Sequence, residues 1–342
     1  MNQFILALFS MTDKLKTSTL FHLLKGKRTA AIMSYAYFND LLPYLGSQPE
    51  LSQSQFDQII AQLEKEQLIA FVTKGEYAIT SQGQAKIDVE QIRRLQQVDY
   101  FNFGRSDSNC FRLLSYFIQQ VAQSQIKPLR PLETSPLYTR PVEQLFKQRI
   151  VDKTIVYQEL TVLFQKLDQK DGDFLAQQLS GPNISPQIAY QLLPEKFQKQ
   201  PWNFFYQASC LHPLLNEIKK AGVNTLCYQI LKGLLRQNYN NSMLFTRKLL
   251  LEGQSVSMVV ASRRLKLGTI SDHIIEWALF DQTFPFEKFI SSNTMAYLAS
   301  LDTTNIYTLR YRDIYEQFPL EFVEFRLYQI KKKREAVNGI RR

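Results

Sequence analysis

A short stretch of the chain combines cations with small hydrogen-bonding side chains, a combination suited to nucleic acid. Guanidinium and ammonium groups bind phosphate oxygens, while hydroxyl, carboxylate and imidazole groups can reach base edges. The predicted phosphate contacts are Arg247, Lys248, Arg263, Arg264 and Lys266. The predicted base contacts are Thr269, Ser271, Asp272 and His273. Asp272 and Glu276 argue against this prediction, because carboxylates repel phosphates unless they face a base or a protein.

The apolar spacing around these residues predicts three helices. The first ends before Gly253, the second is capped by Ser255 and runs to Arg264, and the third begins near Gly268. The third helix would pack through residues spaced at i, i+4 and i+7, namely Ile270, Ile274 and Trp277. Such a helix-turn-helix projects the start of its later helix into the major groove of DNA. A trihelical unit that binds no DNA would show the same apolar spacing.

The N-terminal 95 residues predict helices followed by a small β-hairpin. Ser52 and Gln55 form a capping box at the start of one helix, and Thr80 caps a closing helix that is expected to run through Ala85, Ile87 and Ile92. Between them, two β-type runs at 68–72 and 77–79 flank a Lys74-Gly75 turn. This order predicts a winged-helix-like unit, with a small helical domain carrying an incidental hairpin as the alternative.

The middle of the chain, residues 96–239, is predicted to be a helical bundle. A proline-rich stretch at 128–141 indicates a surface crossover or, alternatively, an extended segment that binds a partner. The fold class is therefore mainly α with three domains: a winged-helix-like domain (1–95), a helical bundle (96–239) and a helix-turn-helix domain (240–342) that ends in a basic helix.

The formal net charge is +10 and suits an anionic partner. The three predicted domains carry +1, +5 and +4, so the excess lies in the second and third. Within it, a run of four consecutive cations, Lys331 to Arg334, is the one polybasic cluster, and the Lys25, Lys27 and Arg28 side chains are interpreted as a solvated turn.

Patterns that would indicate catalysis or metal binding are missing from the sequence. It contains no G-x-x-x-x-G-K-[ST] loop, no CxxC pair among Cys110, Cys210 and Cys227, and no HExxH spacing. The acidic cluster of Asp168, Asp171 and Asp173 lacks the ligand order of a calcium loop and is interpreted as a solvated turn. We therefore expect no enzyme activity, no cofactor and no metal.

The cysteine spacing is typical of a reducing compartment rather than of a disulfide framework. The N-terminal apolar run from Phe4 to Met11 lacks a basic leader and a cleavage-type site, so it predicts an amphipathic helix. No run reaches the roughly 20 apolar residues of a membrane span. These observations predict a cytoplasmic protein that does not contact a membrane.

Two regions resemble a known family. The segment EGQSVSMVVASRRLKLGTISDHIIE, within residues 246–279, resembles the helicase-type helix-turn-helix domain of some RecQ-like helicases and of YpbB-type proteins from low-GC Gram-positive bacteria. ASLDTTNIYTLRYRDIYEQF, from Ala299, is similar to the closing helices of that domain, and LFHLLKGKRTAAIMSYAYF at 20–38 is similar to the N-terminal region of YpbB-type proteins. This chain departs from the family at Ser257, Met258 and Val259, where Glu and Lys are common.

The resemblance implies a DNA-binding subunit that lacks a helicase motor and assists a RecQ-like helicase in repair or recombination. One alternative is a protein-interaction adaptor that uses Asp272, Ile275, Glu276 and Trp277 on the third helix without contacting DNA. Another is a transcription regulator, which would need a dimer and a paired half-site.

Overall fold

The computed structural model describes residues 1–123, 131–301 and 306–340, so part of the predicted proline-rich crossover, residues 128–130, lies outside the described residues. About 67% of the structure is helical and the remainder includes one small sheet, which confirms the mainly α fold class.

The strands are β1 (Leu15–Lys16), β2 (Ile69–Thr73) and β3 (Glu76–Ile79). The described α-helices up to residue 164 are α1 (Asn2–Phe9), α2 (Thr17–Leu24), α3 (Ala30–Phe38), α4 (Gln53–Lys65), α5 (Ser81–Ala85), α6 (Val89–Gln97), α7 (Tyr100–Phe103), α8 (Asp107–Ala122), α9 (Pro136–Lys147) and α10 (Lys153–Phe164). Those that follow are α11 (Gln169–Ala176), α12 (Ala189–Leu192), α13 (Trp202–Ala221), α14 (Leu226–Leu235), α15 (Asn241–Leu251), α16 (Val256–Arg263), α17 (Leu267–Phe280), α18 (Ser292–Ser300), α19 (Tyr311–Tyr315) and α20 (Phe322–Ile340).

The helices and strands form two compact units. The first contains residues 1–18 and 50–238, and the second contains residues 19–49 and 239–342. The predicted division into three domains stays a prediction beside these two units. No boundary appears at residue 95, because α6 packs against α13 within the first unit. Residues 19–49 differ most from the prediction, since they belong with the helix-turn-helix rather than with the hairpin.

The hairpin of the first unit lies where the sequence predicts it. β2 and β3 pair antiparallel with Ile69 opposite Ile79, and Gly75 in the turn adopts a φ of +73°. β1 adds a third strand beside β3, giving the order β1-β3-β2. The capping box of Ser52 and Gln55 is present at the start of α4. The winged-helix interpretation stays a prediction, because residues 19–49, between β1 and α4, belong to the second unit.

The first unit is centred on α13, whose inner face carries a buried polar cluster. Arg94 of α6 and Asp171 of α11 form an ion pair of 2.5 Å in which both side chains are almost inaccessible to water. Cys210 of α13 lies 3.6 Å from both partners. The prediction that Asp171 lies in a solvated turn is therefore wrong. Its neighbour Asp168 instead caps α11 by accepting a hydrogen bond from the N–H of Lys170.

The second unit is built around α17, which packs against α3, α15, α16 and α20. The turn between α2 and α3 approaches its own unit closely at Gly26. That residue has a φ of +85°, and a Cβ atom there would lie 3.1 Å from the Cα of Gly46. A side chain at position 26 would thus be strained by both its backbone conformation and its surroundings. Gly26 therefore allows the turn at residues 25–28 to fold back onto the helices of the second unit.

Candidate nucleic-acid interface

Three consecutive helices of the second unit, α15, α16 and α17, form the predicted helix-turn-helix. Ser255 caps α16 by accepting a hydrogen bond of 3.2 Å from the N–H of Met258. Arg264 ends that helix in the left-handed conformation, with a φ of +51°, and α17 begins at Leu267. Met243 of α15, Val259 of α16 and Ile270 of α17 are buried. The helix limits expected from the apolar spacing are therefore confirmed to within one or two residues.

The N-terminal end of α17 is open and positively charged. Lys266 occupies the N-cap position, and no side chain there caps the helix. Arg264 and Lys266 are exposed and have no acidic partner in the described part of the chain. A Cβ atom added at Gly268 would meet nothing within 4 Å, so the first turn is accessible. The free N–H groups of a helix start carry partial positive charge, which adds to that of the two side chains and favours an anion.

Arg263, next to the open cations, points into the unit instead. Its guanidinium donates hydrogen bonds to the Ser242 carbonyl at 2.7 Å and the Ser242 hydroxyl at 2.8 Å, and also to the Thr246 hydroxyl. It lies over the ring of Phe245, with 5.0 Å between the guanidinium carbon and the ring centroid. Burial lowers its pKa below the usual arginine value. Arg263 is half-buried and its hydrogen bonds hold α16 to α15, so its role as a phosphate contact stays a prediction.

His273, a predicted base contact, is buried in the second unit. Only 5% of the residue is accessible to water, and its Nδ1 lies 2.9 Å from the Thr246 hydroxyl. Burial and, to a smaller extent, the charge of Arg263 lower its pKa to about 4. The imidazole is therefore neutral at physiological pH. Its prediction as an exposed base contact is wrong, because its position on α17 faces α15.

The other predicted base contacts lie nearer the start of α17. Thr269, Ser271 and Asp272 are half-buried, with part of each side chain at the surface. Burial raises the pKa of Asp272 above the usual aspartate value, so its charged form is disfavoured relative to an exposed carboxylate. These three residues remain in reach of a ligand at the N-terminal end of the helix.

The two predicted phosphate contacts on α15 have acidic partners. Arg247 pairs with Asp281 at 3.1 Å and its guanidinium lies over the Trp277 ring, 5.4 Å from the centroid. Burial opposes ionisation of Asp281, but hydrogen bonds from Thr283, Trp277 and Arg247 outweigh it and lower its pKa to about 2. Lys248 is exposed and lies 3.7 Å from Glu252 one turn later, a weak pairing that leaves it available to a phosphate.

Glu276 is an internal residue of the second unit. Its side chain is 2% exposed and accepts hydrogen bonds of 3.2 Å from Arg28 and from the Asn240 amide. The objection that this carboxylate would repel phosphates is therefore removed. Ile275 and Trp277 are equally buried. The adaptor surface predicted on this part of α17 is wrong, and so is the interpretation of Arg28 as a solvated residue, since its side chain is 10% exposed.

The polybasic run at 331–334 lies on α20 and is only partly free. Lys333 is buried, donates to the carbonyls of Tyr37 and Phe38 at 2.7 and 3.0 Å, and pairs with Asp40 at 2.8 Å. Arg334 donates to the carbonyl of Asp281 at 2.9 Å and to that of Ala278 at the end of α17. Two of the four cations therefore stabilise the second unit rather than presenting charge to a ligand.

The uncapped start of α17 is a candidate functional feature that the pattern of side chains alone did not predict. Leu267 and Gly268 contribute backbone groups, not functional side chains, to the positive end of α17. The sequence signal was the lysine at 266, where Ser, Thr, Asp or Asn would have capped the helix. A missing cap next to Arg264 thus indicates an anion-binding helix start.

Within the described residues, no cluster of His, Cys, Asp or Glu could hold a metal ion, and no helix is long and apolar enough to cross a bilayer. The three cysteines are buried and unpaired, and burial raises their pKa values, that of Cys110 to about 12. These thiols are protonated and inaccessible, unlike a catalytic nucleophile.

Comparisons with known proteins agree with this architecture. Residues 242–329 match the family model of a helix-turn-helix domain. The chain is similar to Protein YpbB of Bacillus subtilis (strain 168), with 19% identity over 291 residues that make up 82% of each chain. No solved structure matches the chain significantly. The expected resemblance to YpbB-type proteins with a C-terminal helix-turn-helix domain is confirmed.

Proposed function

We propose that the chain is a non-enzymatic, cytoplasmic DNA-binding protein that docks through the start of α17. The observation that carries this proposal is the uncapped helix start flanked by Arg264 and Lys266, two exposed cations without an acidic partner among the described residues. It lies at the point where a helix-turn-helix meets the phosphate backbone and the major groove. The match to a helix-turn-helix family supports DNA as the partner.

The contacts are divided between backbone and bases. Arg264, Lys266 and Lys248 bind phosphates, while Thr269 and Ser271 reach base edges. Arg263 acts indirectly, because its hydrogen bonds to Ser242 and Thr246 fix the angle between α15 and α16.

Binding of the full chain to DNA tests the proposal directly. Fluorescence anisotropy with single-stranded, duplex and forked oligonucleotides is measured at two salt concentrations, for the native chain and for Arg264→Glu/Lys266→Glu. We expect binding that weakens steeply with salt, because phosphate contacts release condensed counterions, and that is lost in the variant. Both residues are exposed, so the variant should keep the thermal stability of the native chain.

Lys170→Glu/Lys199→Glu is the matched control. Both lysines are exposed, have no acidic partner among the described residues, and lie in the first unit, and the change in net charge is identical. Native affinity in this control would assign the loss to the start of α17 rather than to overall charge. Equal losses in the two variants, or salt-independent binding, would contradict the proposal.

The finer proposal is that the chain assists a RecQ-like helicase. It rests on the resemblance of residues 246–279 to the helicase-type helix-turn-helix domain, and the chain is also similar to Protein YpbB over 82% of its length. Unwinding of a fork by a RecQ-like helicase from the same organism is expected to accelerate when the native chain is added. The Arg264→Glu/Lys266→Glu variant should not accelerate it, and an unchanged rate with the native chain would reject the assisting role while leaving DNA binding intact.

A further inference from the structure

A second surface with the character of a binding site lies in the first unit, on α9, α10 and the turn before α14. Seven large apolar side chains are exposed there. Five of them, 37 to 64% exposed, are called here the docking face: Phe146, Ile150, Ile155, Val162 and Val223. Exposed apolar residues are common singly, but a contiguous set with a polar rim marks an interaction site.

The contacts of Glu159 bring part of the docking face together. Ile155, Glu159 and Val162 follow one another at i, i+4 and i+7, so they lie along one side of α10. Glu159 accepts hydrogen bonds of 2.9 and 3.1 Å from the first two N–H groups of α14. Val223 is 64% exposed and lies three residues before that helix, so the contacts of Glu159 bring its segment close to the side of α10 that carries Ile155 and Val162.

The rim of the docking face is basic. Lys147, Arg149 and Lys153 are exposed and have no acidic partner among the described residues. Of the three carboxylates between residues 136 and 164, Asp152 accepts from the N–H groups at the start of α10 and Glu159 from those of α14, so helix dipoles match the charges of both. Glu143 is exposed on α9, so the rim keeps three cations against one such carboxylate.

We propose that the docking face binds an amphipathic helix of a partner protein, one with an apolar stripe flanked by Asp and Glu. The stripe from Ile155 to Val162 is roughly two helical turns long. This length matches the i, i+3, i+4 and i+7 anchors of such a helix. Acidic flanks complement Lys147, Arg149 and Lys153. The inference does not depend on DNA binding, which belongs to the second unit.

Two other occupants fit less well. A second copy of the chain would bring the same three cations against one another, and like charges at an interface are repulsive. Nucleic acid uses aromatic platforms for its bases, whereas four of the five apolar residues here are aliphatic.

A fluorescently labelled synthetic helix with Leu on one face and Glu on its flanks is the probe. Its comparators are a scrambled peptide of the same composition and a version with Lys in place of Glu. Anisotropy with the full chain should show binding of the acidic helix alone. Ile155→Asp/Val162→Asp should weaken it by roughly tenfold or more, because anchors in an apolar contact dominate affinity. Lys147→Glu/Lys153→Glu should weaken it several-fold and restore binding of the Lys version.

Lys170→Glu/Lys199→Glu again controls for net charge and should bind the acidic helix like the native chain. Because every substituted residue is exposed, circular-dichroism melts should be unchanged, which separates lost binding from lost folding. Equal binding of the scrambled peptide, or native affinity in the docking-face variants, would overturn the proposal. Displacement of the acidic helix by oligothymidine, or a dimer in sedimentation that Ile155→Asp/Val162→Asp abolishes, would also overturn it by assigning another occupant.

Discussion

The two halves of α17 lie in opposite environments. Apart from Ile270, the residues from Leu267 to Asp272 are exposed or half-buried, and the helix start has no cap. From His273 to Leu279, seven consecutive residues are buried. A helix buried on every side must place even its polar groups inside, so each of those groups needs a partner.

Those partners are mostly arginines, and this divides the cations of the second unit into two kinds. Arg28 binds Glu276, Arg263 binds the Thr246 hydroxyl that faces His273, and Arg334 binds carbonyls at the end of α17. Arg264 and Lys266, at its start, are exposed and have no acidic partner in the part of the chain that the structure describes. Net charge alone thus overstates the ligand-binding capacity of this unit.

The largest expected effect comes from Arg28→Ala. It leaves Glu276 as a buried carboxylate without its charged partner, so the free energy of unfolding should fall by about 3 to 5 kcal/mol. Urea unfolding followed by tryptophan fluorescence measures this, since Trp277 is buried in the same unit. Arg28→Met/Glu276→Leu, which removes both charges, should recover much of the loss. If Arg28→Ala lowers the free energy of unfolding by less than about 1 kcal/mol, the ion pair between Arg28 and Glu276 contributes little to stability.

The second effect is on pH dependence. The pKa of His273 is about 4 in the folded chain and near 6.5 when unfolded, so the unfolded state takes up the proton first. Stability should therefore fall as the pH is lowered from about 6.5 towards 4, by on the order of 3 kcal/mol. Urea unfolding of the native chain and of His273→Gln across this range isolates the residue, because all other groups cancel in the difference. Parallel pH profiles would show that His273 does not titrate in this window.

A smaller effect is expected for Arg334→Gln. The carbonyls of Ala278 and Asp281 lose their charged donor at the end of α17, which should cost about 1 to 2 kcal/mol of unfolding free energy. Lys332→Gln is the control, because that neighbouring lysine is partly exposed and its contacts are with the nearby Glu335 carboxylate and Tyr328 ring of α20 rather than with a helix end. Its loss should stay within about 0.5 kcal/mol. Similar values for both variants would mean that Arg334 does not stabilise the helix end.

The smallest effect belongs to the open half. Lys266→Gln should leave stability unchanged and lower duplex affinity only a few-fold, with the slope of log affinity against log salt reduced by about 1. Anisotropy titrations at several salt concentrations give that slope. Lys288→Gln, another exposed lysine of the second unit, should keep the native slope, and an unchanged slope for Lys266→Gln would remove this residue from the phosphate contacts.

Elements that depend on neighbours in sequence were predictable. The capping residues Ser52, Thr80 and Ser255 begin helices as expected, since each accepts a hydrogen bond from the N–H group three residues later. One local prediction failed: the helix after Thr80 was expected to continue, but Asp88 begins a separate α6 by accepting from the N–H groups of Glu90 and Gln91. Aspartate is a common N-cap residue, so the sequence did offer Asp88 as a helix start. The apolar spacing of Ala85, Ile87 and Ile92 instead favoured one continuous helix.

The sequence by itself determined the helical class, the hairpin and the helix-turn-helix, because apolar period and capping act over a few residues. Only the tertiary structure decided which functional side chains face outward. Glu276 and Arg28 are 248 positions apart, and no local pattern reveals that they form a largely buried ion pair. Arg263 and Arg264 differ only in backbone conformation and in what lies beside them. Burial depends on distant segments, so the same pattern of cations can bind phosphate or hold a helix in place.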